Sequence, residues 1–280
     1  MSPDTGFPLA DAQNDFLRAR RRQALSRLAQ RMLRTPDDVG LILPFEEVVA
    51  ALGRVGERSL GLQTISLESI VGTVDRTSDF DREFRPTNSR VRSRWESIAQ
   101  AERRGAAMPP ISLYRVGGLH FVRDGHHRVS VARALRRTTI DAYTTEVLTR
   151  LAPDEAMTVG DLPLKSHERL FLERVPLTPE QTRRVALTDP WGYAELAEGV
   201  EAWGFRLLQE RGTLKDRRAV AAAWFEEEYA PVVELLREAD LLGEGTETDS
   251  YMRVAGDRYR LLRTHSWSDE VIARLRASRT

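Results

Sequence analysis

The sequence predicts an α+β domain followed by an α-helical one, and three observations carry that expectation. Between residues 63 and 147 short apolar strands alternate with amphipathic helical stretches. After residue 168 apolar residues recur at helical spacing only. The stretch between them, "APDEAMTVGDLPLKSHE", has the proline, glycine and charge content of a linker.

Composition narrows the functional classes. The 280 residues are 41% hydrophobic and 30% charged, the balance of an ordinary globular protein. No window reaches the roughly 18 consecutive apolar residues of a membrane span, and the N-terminus has no secretory h-region. The expectation is a cytoplasmic, bacterial protein without a membrane partner. Without cysteine there is no disulfide, thiolate nucleophile or iron–sulfur ligand. The net charge is zero, so overall balance gives no argument for nucleic acid. Arginine outnumbers lysine 40 to 2, and its planar fork is the better phosphate ligand.

Taken in order, residues 1 to 15 read as a disordered tail. Residues 16 to 62 read as an arginine-rich helical extension. Its first helix starts at Asp15, with Leu17, Leu25, Leu28 and Met32 on one face. Arg18, Arg20, Arg21, Arg22, Arg27, Arg31 and Arg34 decorate the rest, either as a solvated surface or as a contact for phosphates. Pro44 opens a second helix, which Gly53 closes.

Residues 63 to 150 form the α+β unit. "QTISLESI" alternates like a half-buried strand, and the Asp/Arg-rich "VGTVDRTSDFDREFRP" reads as a loop beside a site. A helix ends at Gly105, and "PPISLYRV" and "LHFVRD" pair across a turn at Gly117 and Gly118. A helix from His127 to Arg137 and the strand "IDAYTTEV" complete it. Residues 151 to 168 are the linker, and 169 to 280 are helical. There Leu196, Val200, Trp203 and Leu207 form one stripe, while Val220, Trp224, Val232 and Leu236 line two helices broken at Pro231. Thr246 and Asp249 make a capping box, and four of the five tryptophans, read as core, follow residue 190.

The chemistry concentrates in "FVRDGHHRVSVARAL", residues 121 to 135. A strand turns directly into a helix whose Val131, Ala132 and Leu135 face inward and whose Arg133, Arg136 and Arg137 face outward. The helix start lies at Gly125–Arg128, where free backbone N–H groups and the dipole favour an anion. Gly125 admits close approach or positive φ, and Arg128 offers a fork to phosphate oxygens. Three readings of His126 and His127 stand side by side: a metal pair, structural hydrogen bonding, and phosphate binding or acid–base work. Asp124 is placed to hold magnesium or to orient a histidine.

This arrangement resembles the ParB/sulfiredoxin superfamily over residues 63 to 147. The resemblance rests on "TISLESI", "WESIAQAERRGAAMPPISLYRV", "DGHHRVSVARAL" and "IDAYTTEV" in that order. It implies a ParB/sulfiredoxin-like N-terminal domain with flanking helices, and nucleotide phosphate at the helix start. Sulfiredoxin chemistry needs a cysteine in this turn, where His126 stands. The further nucleotide motif and helix-turn-helix of chromosome-partition clamps are not found after residue 147. The free-serine-kinase branch has a similar D-G-H-H-R turn and an upstream glutamate as base; Glu68 is the candidate here, with Asp75, Asp79 and Asp81 as rivals. The helical half is similar to segments found beside ParB-like domains, with no chemistry attached.

Three functions follow from this reading. The first is a nucleotide-dependent enzyme using magnesium and ATP or ADP, with CTP also admitted. In it Gly125, His126, His127 and Arg128 hold phosphate, Asp124 holds the metal, and Glu68, Asp124 and His127 are catalytic in phosphoryl transfer or hydrolysis. The second is a DNA-associated ParB-like binding protein or nuclease contacting phosphates through its arginine-rich helix. The third is a nucleotide sensor without turnover, its tryptophan-rich half binding a protein partner or a second copy.

Overall fold

A computed structural model describes residues 5–33, 37–212 and 215–277. The chain divides into two compact units, Met1–Leu162 and Pro163–Thr280. The first is mixed α+β, and the second has helices and no strand among its described residues.

The first unit contains α1 (Pro8–Met32), β1 (Leu43–Pro44), α2 (Phe45–Leu52), β2 (Arg54–Ser66) and β3 (Ile70–Thr73). It continues with α3 (Arg92–Arg103), β4 (Ile111–Val116), β5 (Leu119–Asp124), α4 (His126–Ala134) and β6 (Thr139–Thr149). The strands form one six-stranded mixed sheet in the order β1-β3-β5-β4-β6-β2. β4 and β5 are the hairpin expected around Gly117 and Gly118, with Val116 opposite Leu119.

Alternation along the central strands sends side chains to two cores. On one face Phe45 of α2 stacks on Tyr114 at 4.4 Å and meets Phe121 edge-on at 5.5 Å. Gly72 is required there, because a Cβ would lie 2.2 Å from the Phe121 ring and 2.7 Å from the Leu43 carbonyl oxygen. On the other face Ile70, Ile111, Leu113, Val122 and Ala142 pack with Phe16, Trp95, Val129 and Ala132. Trp95 is fully buried and donates its Nε1–H to Ser130 Oγ at 2.8 Å, tying α3 to α4.

Several expectations are corrected. The first helix begins at Pro8, not Asp15, so the tail is shorter than residues 1 to 15; residues 1 to 4 and Arg34 lie outside the described residues. Leu17, Leu25, Leu28 and Met32 are 53–78% exposed. The buried side of α1 is instead Asp11, Ala12, Asp15, Phe16, Ala19 and Gln23. Arg103 on α3 reaches Asp15 at 2.6 Å and Asp11 at 3.9 Å, so a buried ion pair docks this helix.

The stretch 16 to 62 is not wholly helical, because β2 starts at Arg54. "QTISLESI" spans the end of β2, a 3-10 turn at Leu67–Ser69 and the first residue of β3. The helix after the DGHHR turn starts at His126 and ends at Ala134, earlier than Arg137, because Arg136 adopts φ 60° and terminates it.

The second unit has α5 (Leu162–Arg174), α6 (Pro179–Arg184), α7 (Gly192–Arg211), α8 (Arg217–Trp224), α9 (Ala230–Glu238), α10 (Glu247–Leu262) and α11 (Asp269–Ala277). Residues 162 to 168, expected as linker, are the first turns of α5. Trp224, Tyr229, Val233 and Leu236 form the centre of its core. Pro231 does not separate two helices: a π turn at Phe225–Tyr229 precedes it, and the helical path continues. A wider turn accommodates the missing N–H and the ring without a break. The Thr246–Asp249 capping box is formed. Trp191 departs from the core reading, being 74% exposed. Among the described residues no helix is long and apolar enough to cross a membrane.

Candidate functional site

Asp124 is the last residue of β5, an interior strand, and Gly125 turns the chain with φ 105° and ψ 18°. Only glycine is at ease there, and a Cβ would also lie 2.4 Å from Ile111 Cγ2. α4 then starts without a side-chain cap and without an acid in its first turn. The amides of His126, His127 and Arg128 find no acceptor among the described residues; Val129 N–H is the first to bond, to the Gly125 carbonyl. These orphan donors, at the positive end of the helix dipole, face a cavity of about 310 Å³. Arg76 and Arg94 line it together with Asp124 and residues 125–128.

The two histidines have different environments. His126 is buried, and its Nε2 lies 2.7 Å from Thr73 Oγ1, fastening α4 to β3. The Asp75 carboxylate stands 3.4 Å from the same nitrogen. Burial, with help from Arg76, lowers the His126 pKa against the pull of Asp75 and Asp124. His127 meets the Phe80 ring edge-on at 5.5 Å, and its Nε2 is buried without a hydrogen-bond partner. Burial first, then Arg76, His126 and Arg94, push its pKa down to about 4. It is therefore a neutral ring at neutral pH; the residue lines the cavity, while its Nε2 stays buried. Hydrogen bonding describes His126, and among the described residues no group of three or more His, Asp or Glu could hold a metal.

Arg128 is placed differently from the sequence expectation. Its guanidinium donates to the carbonyls of Pro109 at 2.5 Å and Pro110 at 3.0 Å, and to Asp124 at 2.6 Å. It holds the segment entering β4 and steadies Asp124, leaving less of its fork for a ligand.

The carboxylates are not all brought together. Glu68 sits in the 3-10 turn before β3 and lines a different cavity, beside Arg133 and Arg136 at the far end of α4. Asp75 reaches the site through His126. Asp79 is bound by Asn88 at 3.0 Å and by Arg76 at 3.1 Å. Burial works to raise its pKa, but these bonds outweigh it and the net shift is downward. Asp81 is occupied within its own loop, accepting from the amides of Glu83 and Arg85 and from Arg85 Nε. Arg133 does not point outward, since it donates to the carbonyls of Leu67 and Ile70 and pairs with Glu83.

Sequence reasoning missed Arg76, Arg94 and Thr73. They come from the loop after β3, from α3 and from β3, so no spacing connects them to the turn. The Asp/Arg-rich character of the loop was the one available signal. Comparisons of the chain with protein-family models, curated proteins and solved structures give no match.

Proposed function

We propose that this chain is a nucleotide-binding protein of the ParB/sulfiredoxin type that holds phosphate groups at the start of α4. The observation that carries the reading is the uncapped helix end: three free amides behind a left-handed Gly125, opening on a cavity that Arg76 and Arg94 line. Such an end binds oxyanions by hydrogen bonds and dipole together.

Phosphoryl transfer or hydrolysis is the chemistry that fits these parts, because it depends on positioning and charge stabilisation. Amides and arginines would neutralise the phosphate oxygens. Magnesium would enter on the nucleotide, since it commonly takes one or two carboxylates plus phosphates, and Asp124 and Asp75 both flank His126. When bound it would supply charge neutralisation between phosphate oxygens. The base role passes from Glu68 to Asp75, the carboxylate within 3.4 Å of His126.

The test is thermal stability with ADP, ATP, CTP and GTP, with and without magnesium, for wild type and Arg94→Ala. Arg94 is exposed and its side chain makes no hydrogen bond among the described residues, so its loss should spare the fold. A nucleotide at about 100 times its dissociation constant stabilises by about 2.7 kcal/mol. Stabilisation of wild type that weakens in the variant is expected; no response to any nucleotide would sink the reading. Phosphate release then separates an enzyme from a sensor without turnover.

A second reading rests on α1, where Arg18, Arg21, Arg22, Arg27 and Arg31 are all exposed. A duplex contacting them would bind with a steep salt dependence, and salt-independent or absent binding would remove it.

A further inference from the structure

The other end of α4 carries a second cavity, of about 770 Å³. Six arginines line it: Arg18 and Arg22 from α1, Arg85 from the loop after β3, and Arg133, Arg136 and Arg137 from α4 and its exit. Only three carboxylates face them, those of Asp15, Glu68 and Glu83.

Most of these charges are committed. Asp15 is gripped by Arg103, and Glu83 pairs with Arg133. Arg85 is held by Asp81 at 2.8 Å, and Arg137 lies 3.3 Å from Glu102. The side chains of Arg18, Arg22 and Arg136 make no hydrogen bond or ion pair among the described residues. Glu68 feels the charge of Arg133 without a hydrogen bond to it. Three uncommitted guanidiniums thus share a concave polar wall with one carboxylate. Positive charges gathered in a cleft repel each other and concentrate an anion.

The backbone points the same way. Arg136 has φ 60° and Phe84 has φ 53°, a region side chains seldom occupy, and both line this cavity. Arg136 stands where a helix usually ends in glycine. Strain held at a ligand-facing arginine, where glycine would relax it, is a mark of function. The negative end of α4 does not cancel the site, because the carbonyls of Val131, Ala132 and Arg133 are taken by the amides of residues 135–137.

We propose that this cavity is a second anion site, separate from the Gly125 turn, that takes a small molecule bearing two or more phosphate charges. Arg18, Arg22 and Arg136 grip the phosphates, and Glu68 accepts from a hydroxyl or amino group of the same ligand. The volume suits a small molecule. Arg21, Arg27 and Arg31, which a nucleic acid would need, do not line it.

The test is calorimetric titration of the full chain with inorganic pyrophosphate at low salt. Wild type is compared with Arg22→Ala/Arg136→Gly and with Arg94→Ala. Glycine is relaxed at position 136, so the double variant keeps the fold. The expected result is an affinity loss of about tenfold or more in the double variant, at about 1.4 kcal/mol per tenfold, that Arg94→Ala does not reproduce. Equal affinity in wild type and double variant overturns the proposal. So does a loss confined to Arg94→Ala, which would leave the turn as the phosphate site. A double variant that loses duplex DNA but keeps pyrophosphate overturns it in favour of nucleic acid. Loss in the double variant alone supports this cavity, and the nucleotide response of Arg94→Ala tests phosphate at the turn separately.

Discussion

Arg128 donates to the carboxylate of Asp124 at 2.6 Å, across the turn that Gly125 makes between strand and helix. Its Nη1 reaches back to the carbonyls of Pro109 and Pro110. One side chain therefore closes the turn and fixes the entry to β4. Arg128→Ala leaves both carbonyls without this donor and should cost about 1–3 kcal/mol in urea unfolding. Arg128→Lys should recover only part of that, because an ammonium cannot span the same fork. An unchanged midpoint in Arg128→Ala would show that the clamp contributes nothing.

Gly125→Ala tests the turn itself. The added Cβ meets Ile111 Cγ2 at 2.4 Å, and the backbone sits at φ 105°. Strain of this kind costs about 1–3 kcal/mol, and overpacking adds to it. A lower unfolding midpoint is expected together with weaker nucleotide binding, since the helix start must move. Wild-type stability in this variant would mean that the turn relaxes freely.

The histidines set the acid response. Burial, and then Arg115, push His120 down to about 4. His127 is likewise pushed to about 4 and His126 is lowered, in both cases by burial first. In the unfolded chain each titrates near ~6.5. Between those values the unfolded chain binds protons that the folded chain does not, so this contribution is complete above ~6.5 and is lost as pH falls toward 4. Asp81, raised by burial, pulls the other way at the bottom of the window, against four lowered histidines, since His265 is lowered as well. Urea midpoints should fall over that window, and His120→Asn/His127→Asn should flatten the slope. An identical slope in that double variant would contradict this assignment.

How far the sequence could be read depended on what each element buries. β4, β5 and the helices of the second unit were legible because their inward positions are apolar, as with Leu113, Val122, Val200 and Leu236. β2 was half missed because most of it is exposed on both faces, so no alternation marks residues 54 to 62. α1 was read on the wrong face because Asp11 and Asp15 dock it through Arg103, and periodicity counts carboxylates as outward. Gly125 and the two histidines were visible as a local motif. Arg76 and Arg94 were not, since the fold alone assembles them there.

Tyr229 gives a comparable test in the second unit. Its hydroxyl lies 2.7 Å from Thr248 Oγ1 and donates to the Arg184 carbonyl at 2.8 Å, joining the π turn to α10 and the end of α6. Tyr229→Phe keeps the ring but removes the donor from the Arg184 carbonyl and leaves Thr248 Oγ1 only a 3.4 Å bond to that carbonyl, at a cost of about 1–2 kcal/mol. The measurement is the unfolding midpoint by tryptophan fluorescence, which Trp224, with ring centroids 5.1 Å apart, reports closely.

Arg136→Gly separates stability from binding most directly. At φ 60° an arginine carries left-handed strain that glycine does not, worth about 1 kcal/mol or somewhat more. Glycine adds unfolded-state entropy, which offsets part of the gain, so a net stabilisation of up to about 1 kcal/mol is expected. The Arg136 side chain makes no hydrogen bond or ion pair among the described residues whose loss would cancel it. A raised unfolding midpoint together with weaker pyrophosphate binding would mark a residue whose strained backbone serves its ligand. A lowered midpoint would mean that the arginine supports the fold, and the functional reading of its strain would fall.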